Sequence, residues 1–287
     1  MTLKVNPAIL VTGASGLFGG EVARQLAESG VAIRILLRDQ VRVPDFSGHI
    51  EIAFGDFSDK DSLTAALDGI ERVFLASYDR PEVIEHQANL IAAAKRAGVE
   101  HVVRISANGT EEWAHLSIFR QHGICDRQLI ESGLQYTLLK PVWIMQNFTS
   151  FMMVNDSIRV PAEDGLAGQV DARDVASVAT VALTKEGYVG KDYVLCTEAL
   201  AHGQIAQLLS RSTGRNITYI DLDPETYRKE LESSGWTEKS IDSMLGLFDD
   251  IRAGTNSDSK MGDTIKPILG RPGIRLQQFA QDYASRI

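Results

Sequence analysis

The sequence predicts an α/β fold, a doubly wound parallel sheet with helices on both faces. Three observations carry that expectation. Short β-branched, apolar runs alternate with amphipathic helical patterns from residue 8 to residue 196. The runs are apolar almost throughout, as strands covered on both faces are. The connections between them are short, so each strand–helix–strand unit should close by a right-handed crossover and pair its strands in parallel. A sheet of this kind takes its ligand at the C-terminal ends of its strands.

Each element follows from its residues. "AILVT" (8–12) reads as the first strand and "GGEVARQLAESG" (19–30) as a helix ended by Gly30. "AIRILLR" (32–38) and "IEIAFGD" (50–56) are strands, and "DKDSLTAALDG" (59–69) is a helix whose acidic start suits its dipole. "RVFLAS" (72–77) is a strand. "PEVIEHQANLIAAAKRAG" (81–98) is a helix with Pro in its first turn and Gly98 past its end. "HVVRISA" (101–107) and "QYTLLKP" (135–141) are strands flanking the mostly helical "IFRQHGICDRQLIESG" (118–133). "VDARDVASVATVALTK" (170–185) reads as a helix and "KDYVLC" (191–196) as one more strand. Beyond about residue 200 the pattern turns helical and more polar, as in a smaller lobe.

Composition narrows the function classes. A net charge of −9 argues against a nucleic-acid surface, which needs clustered Lys and Arg. Cys125 and Cys196 are the only cysteines, too few for a disulfide framework or a Cys-rich zinc site, and the scattered histidines show no metal-ligand spacing. No apolar stretch approaches a membrane span, and the first residues lack a signal-peptide pattern, so the expectation is a cytoplasmic protein with no membrane or metal requirement.

The chemistry begins in "ILVTGASGLFGG" (9–20), between the first strand and the first helix. Gly13 permits a tight turn, Gly16 has no Cβ to hold a pyrophosphate off the backbone, and Gly19 lets the helix pack closely. The helix then presents unpaired N–H groups and the positive end of its dipole. Gly13, Ser15, Gly16, Leu17, Phe18 and Gly19 are therefore the phosphate-binding candidates of a dinucleotide loop. Arg38 closes the second strand, where an acid would suit NAD and an Arg suits the 2′-phosphate of NADP, so NADP(H) is favoured over NAD(H); Asp39, directly after it, is the residue that would suit NAD. Arg38 also reads as a plain surface charge. Asp56 and Phe57 end the third strand, either beside the adenine or, for Asp56, as the N-cap of the next helix. These signals set the expected boundaries: a Rossmann-like dinucleotide domain over residues 1–150, with 170–198 returning to it. The smaller, mainly helical substrate lobe takes 200–287 with 151–169.

"VTGASGLFGG", "LLRD", "GDF", "FLAS" and "IESGLQYTLLKPVWIMQNF" together resemble the NmrA-like branch of the atypical short-chain dehydrogenase/reductases, as do "VDARDVASVA" and "GRPGIRLQQFAQDY" (270–283). That family includes NADPH-dependent quinone and triphenylmethane-dye reductases and non-catalytic redox-sensing regulators. Ala76, Ser77 and Tyr78 follow the fourth strand and Ser106 and Ala107 the fifth, so their backbones should line the ribose and nicotinamide, and the resemblance implies that Pro141 and Trp143 are also near the cofactor. It places Asn147 and Phe148 beside the substrate. Trp143, Met145 and Phe148 then form either an apolar wall for a flat acceptor or ordinary core.

Ordinary short-chain dehydrogenases use Tyr-x-x-x-Lys on a helix, where the two side chains share a face. Here "YTLLK" (136–140) has the letters but reads as a strand, which would set them roughly 13 Å apart. The helix before it holds His122 instead, a candidate proton donor or substrate hydrogen bond with an ordinary pKa near 6.5, or else a capping histidine. Arg127 reads as a structural ion-pair partner or a substrate contact, and Cys125 as a small buried residue. The resulting expectation is an NADPH-dependent reductase of a quinone-, dye- or enone-like small molecule, with a homodimer common among such relatives. The alternative is an NADP(H)-sensing regulator that acts through a protein partner.

Overall fold

The computed structural model describes residues 8–39, 46, 48–77, 82–111 and 116–287. In chain order the elements begin β1 (Ile9–Val11), α1 (Leu17–Glu28), β2 (Ile33–Leu37), β3 (Ile50–Phe54), α2 (Lys60–Ala66), β4 (Arg72–Leu75) and α3 (Val83–Ala97). Next come β5 (His101–Ile105), α4 (Ser117–Glu131), β6 (Gln135–Pro141), β7 (Trp143–Ile144), a 3-10 helix (Met145–Thr149), β8 (Met153–Val154) and β9 (Ser157–Val160). β10 (Leu166–Val170), α5 (Ala172–Thr184), β11 (Lys191–Leu195), β12 (Glu198–Ala201), α6 (His202–Thr213) and β13 (Thr218–Asp221) follow. The chain finishes with α7 (Pro224–Ser233), α8 (Glu238–Ala253), α9 (Lys266–Leu269) and α10 (Leu276–Asp282).

Seven strands form one sheet in the order β11-β6-β5-β4-β1-β2-β3. The pairings from β3 through β2, β1, β4 and β5 to β6 are all parallel. Leu10 of β1 lies between Arg34 of β2 and Val73 of β4. After β3 the chain returns to the other side of β1, so β1 and β4 flank the topological switch point, where such sheets open a ligand crevice. β1 and β5 are buried along their whole length, and a core of Leu10, Leu36, Leu63, Val73, Leu90, Val102 and Leu138 packs on the sheet. This is the Rossmann-like α/β architecture the strand–helix alternation predicts.

Residue contacts divide the chain into two compact units. The first gathers the described residues of Met1–Ala107 with Gln121–Lys140 and Val175–Tyr193. The second takes the described residues of Asn108–Arg120 with Pro141–Asp174 and Val194–Ile287. The sequence boundaries place 141–150 and the described residues of 108–120 in the first domain, whereas residue contacts group them with the second unit. The second unit is also richer in strand than its polar, helical pattern suggests. It holds two three-stranded sheets, β12-β10-β7 and β13-β9-β8. Their strands are two to five residues long, too short to stand out in a periodicity reading.

Two sequence blocks from distant parts of the chain meet inside this second unit. Asp174, fully buried, accepts from Arg271 at 2.7 Å and from the backbone N–H of Ile274 at 2.5 Å. Arg173 reaches Asp171 at 2.7 Å and Asp282 at 2.6 Å, and its guanidinium lies 5.3 Å from the Tyr283 ring centroid. "VDARDVASVA" and "GRPGIRLQQFAQDY" are thus joined by buried and half-buried charges. Among the described residues no helix is long and apolar enough to cross a membrane.

Candidate functional site

The glycine loop is built by backbone geometry. Gly13 has φ +65°, a left-handed conformation that side chains disfavour, and its N–H-bonded turn closes with Gly16 N–H donating to Gly13 O at 2.9 Å. A Cβ on Gly19 would stand 2.3 Å from Gly13 O and 2.4 Å from Thr12 O, so α1 can rest on the loop only with glycine there. Gly16 occupies the N-cap of α1 and supplies no side-chain cap, which leaves the N–H groups of Leu17, Phe18 and Gly19 directed out of the helix start.

Thr12 ties this loop to the neighbouring strand. Its hydroxyl accepts from Ala76 N–H at 2.9 Å and lies 2.8 Å from Ala76 O and 3.1 Å from Phe74 O, either of which takes its hydrogen. One buried hydroxyl therefore pins the ends of β1 and β4 together at the switch point. Its place at the end of a strand, directly before the first glycine, is the signal in the sequence that could have found it.

A cleft of about 680 Å³, measured with its open mouth, lies over this region. It is lined by Gly13, Ser15, Arg38, Asp56, Phe57, Ala76 and Ser77, and by Leu36, Leu37, Gly55, Val83 and His86. The first seven are sequence candidates brought to one place; the last five are additions, of which His86 comes from the first turn of α3. Arg38 is exposed at the rim. Asp56 accepts from Ser58 N–H at 2.8 Å and from Ser58 O–H at 2.6 Å. Those two bonds hold its carboxyl below the usual range, with His86 and Arg38 adding electrostatic attraction. Asp56 is not the cap of α2. Asp59 is, accepting from the N–H groups of Asp61 and Ser62.

Behind the cleft lies a closed polar layer. Arg104, on β5, has no exposed surface. It pairs with Asp126 of α4, donates to Gln87 Oε1 at 2.7 Å and faces His122 Nδ1 at 3.4 Å. Asp126 also accepts from Ser106 Oγ at 2.7 Å, and Gln87 donates to Ser77 Oγ at 2.8 Å. Burial raises the Asp126 carboxyl, and Arg104 and Ser106 oppose that shift. Burial pushes His122 down to about 3, and the Arg104 charge adds to the effect. Both effects favour the neutral ring.

The sequence of this chain matches the NmrA-like family over residues 6–270. The chain belongs to the NmrA-like family. Among its relatives, the NAD(P)H azoreductase of Xenophilus azovorans is 32% identical, over 96% of this chain and 98% of that protein. The (4-alkanoyl-5-oxo-2,5-dihydrofuran-3-yl)methyl phosphate reductase of Streptomyces griseus is 31% identical, over 96% and 98%. Of solved structures, the NADPH-dependent quinone oxidoreductase of Escherichia coli complexed with NADPH superimposes with a TM-score of 0.81 at 25% identity, covering 96% of this chain and 99% of that one.

Other candidates of this NmrA-like chain fall elsewhere. Tyr78 lies outside the described residues. Ser106 is buried with its hydroxyl committed to Asp126, and Ala107 is half-buried beside it. Pro141 is buried and its carbonyl accepts from Asn108 N–H at 3.1 Å. Met145 and Phe148 correct the expectation of a substrate wall: both are 0% exposed within the core of the second unit, where Ile158, Ile205 and Phe248 also pack. Trp143 is half-buried, donating to Met152 Sδ at 2.9 Å with its ring 5.9 Å from that of Phe248. Asn147 is half-buried. Tyr136 and Lys140 both lie in β6, and Lys140 pairs with Asp192 at 2.5 Å, so the Tyr-x-x-x-Lys letters form no catalytic pair. Arg127 is exposed; the helix's buried ion pair is made one residue earlier, at Asp126.

Proposed function

We propose that this chain is an NADPH-dependent reductase that passes hydride to a small conjugated acceptor of the quinone, dye or enone kind. The observation that carries the reading is the glycine cleft at the switch point with Arg38 on its rim. The cradle suits a dinucleotide: the Gly19 position admits no Cβ, and Gly16 leaves the helix start uncapped for an anion. The names of the relatives support the same class of chemistry.

When bound, the reduced nicotinamide supplies the hydride. The rest is the work of the chain's own groups. The N–H groups opening α1 hold the pyrophosphate, and the Arg38 guanidinium meets the 2′-phosphate with paired hydrogen bonds. Asp56, kept ionised, accepts from the adenine amino group, with Phe57 beside the ring. Neutral His122 donates a hydrogen bond to the acceptor. A strong acceptor needs no acid from the protein, because water protonates the product and catalysis is mainly the holding of two reactants in contact.

The test is NADPH oxidation across a panel of quinones, azo and triphenylmethane dyes and enones, with cofactor binding measured in parallel. Turnover with one of these classes is the expected result. Tight NADPH binding with no turnover on any of them, together with a partner protein captured only when cofactor is present, would replace the reductase with a sensor.

A further inference from the structure

Arg104 is the largest fully buried side chain among the described residues, and it does not line the glycine cleft. A guanidinium donates hydrogen bonds and accepts none, so each of its contacts has a fixed direction. Nε donates to Gln87 Oε1, Nη1 to Asp126 Oδ1, and Nη2 points its hydrogen at His122 Nδ1.

These directions propagate to three groups. With Oε1 taken by Arg104, the Gln87 amide turns its NH2 to Ser77 and donates to Oγ at 2.8 Å. The Ser77 hydroxyl accepts there and keeps its own hydrogen for another partner, and Ser77 lines the cleft. On the other side, Asp126 accepts the Ser106 hydrogen, which directs it inward. At His122, the nitrogen facing a donor is the bare one, so a neutral ring carries its hydrogen on Nε2. The depressed basicity of this histidine keeps the ring neutral.

We propose that Arg104 is a positioning residue that sets the hydrogen-bond polarity of the layer beside the cleft, turning Ser77 outward as a donor to the cofactor and fixing His122 as its Nε2–H tautomer. The proposal rests on the reading that the cleft takes NADPH. An apolar side chain of the same volume would fill the space without the desolvation cost of a buried ion pair. What it could not do is impose a direction on Gln87 and His122 at once.

The experiment is a long-range ¹⁵N–¹H spectrum of the histidine-labelled protein without nucleotide, for wild type, Arg104→Lys and Gln87→Met, alongside steady-state kinetics. Lysine keeps a charge beside Asp126 but, as one ammonium on a flexible stem, does not reproduce the three-way fork. Wild-type His122 should be protonated on Nε2. Arg104→Lys should admit the Nδ1–H form and lower kcat roughly tenfold. Gln87→Met leaves the ion pair and the His122 tautomer in place and should raise KM for NADPH severalfold with a smaller change in kcat. A wild-type spectrum showing Nδ1–H overturns the proposal. So does an Arg104→Lys protein with unchanged tautomer and rates. If Arg104→Lys does not fold, an unchanged KM in Gln87→Met overturns the Ser77 branch, and the wild-type spectrum decides the His122 branch. Calorimetry separates this from the reading beneath it: a wild-type protein giving no heat with NADPH sinks the reductase, whereas the nucleotide-free spectrum tests the polarity on its own.

Discussion

The open cleft at the ends of β1 and β2 and the buried polar layer joining β5 to α3 and α4 are built in opposite ways. The cleft is made of backbone: a left-handed glycine, a helix start without a cap and a close helix–loop contact, all within Thr12–Gly19. The closed layer is made of side chains. Ser77, Gln87, Arg104 and Asp126 come from the end of β4, from α3, from β5 and from α4, and they meet only through the fold. A site that must fit a phosphate needs absent side chains, whereas a site that must orient hydrogen atoms needs particular ones. The two regions should therefore fail differently when altered.

The largest effect is expected in the cleft. Gly19→Ala puts a methyl 2.3 Å from a loop carbonyl, so the loop must move and NADPH binding should fall by at least roughly a hundredfold, read by calorimetry. Retained affinity would show that the loop tolerates the shift. In the closed layer the loss should appear in stability. Arg104→Met strands a buried carboxylate and should cost about 3–5 kcal/mol in urea unfolding. Adding Asp126→Leu should recover much of that loss, because both members of the pair are then gone. A double variant as unstable as the single one would mean the pair stabilises the fold outright.

A buried histidine of the second unit gives a smaller, pH-dependent effect. Neither ring nitrogen of His202 has a hydrogen-bond partner among the described residues, and burial pushes its pKa down to about 4 against a weaker pull from Asp221. Below an unfolded pKa of about 6.5 the unfolded chain binds a proton that the folded one refuses, so stability falls as pH drops towards 4 and then levels off. Between pH 7 and pH 5 this group should cost about 2 kcal/mol. His202→Phe should remove that part of the acid sensitivity, and an unchanged pH profile would contradict the assignment. His101 and His122, lowered to about 4 and about 3 by burial, should act in the same direction.

The same contrast explains what was legible in the sequence. The glycine loop, Arg38, Asp56 and Phe57 were readable because each sits at a strand end fixed by local pattern. The parallel, doubly wound class of the sheet followed from short connections and apolar strands. The Arg104–Asp126 pair was not readable, because nothing local marks an Arg inside the apolar strand "HVVRI" as buried and paired. Arg127 drew the ion-pair expectation in its place, though it is the exposed neighbour. Whether Met145 and Phe148 form a substrate wall or ordinary core stays open in the sequence, because adjacency to the nicotinamide segment says nothing about which way a side chain turns. The 3-10 helix turns both into the core. The Tyr-x-x-x-Lys letters carry no pair because both residues lie in β6, and a strand cannot bring them together.

The most direct measurement is a pair of calorimetric titrations, NADPH and NADH, on wild type and on Arg38→Ala. Arg38 is exposed, so its loss should leave the fold intact. Wild type should bind NADPH more tightly than NADH, and Arg38→Ala should weaken NADPH roughly tenfold or more while changing NADH little. Equal losses for both nucleotides would remove Arg38 from the 2′-phosphate, and no heat from either would remove the dinucleotide from the cleft.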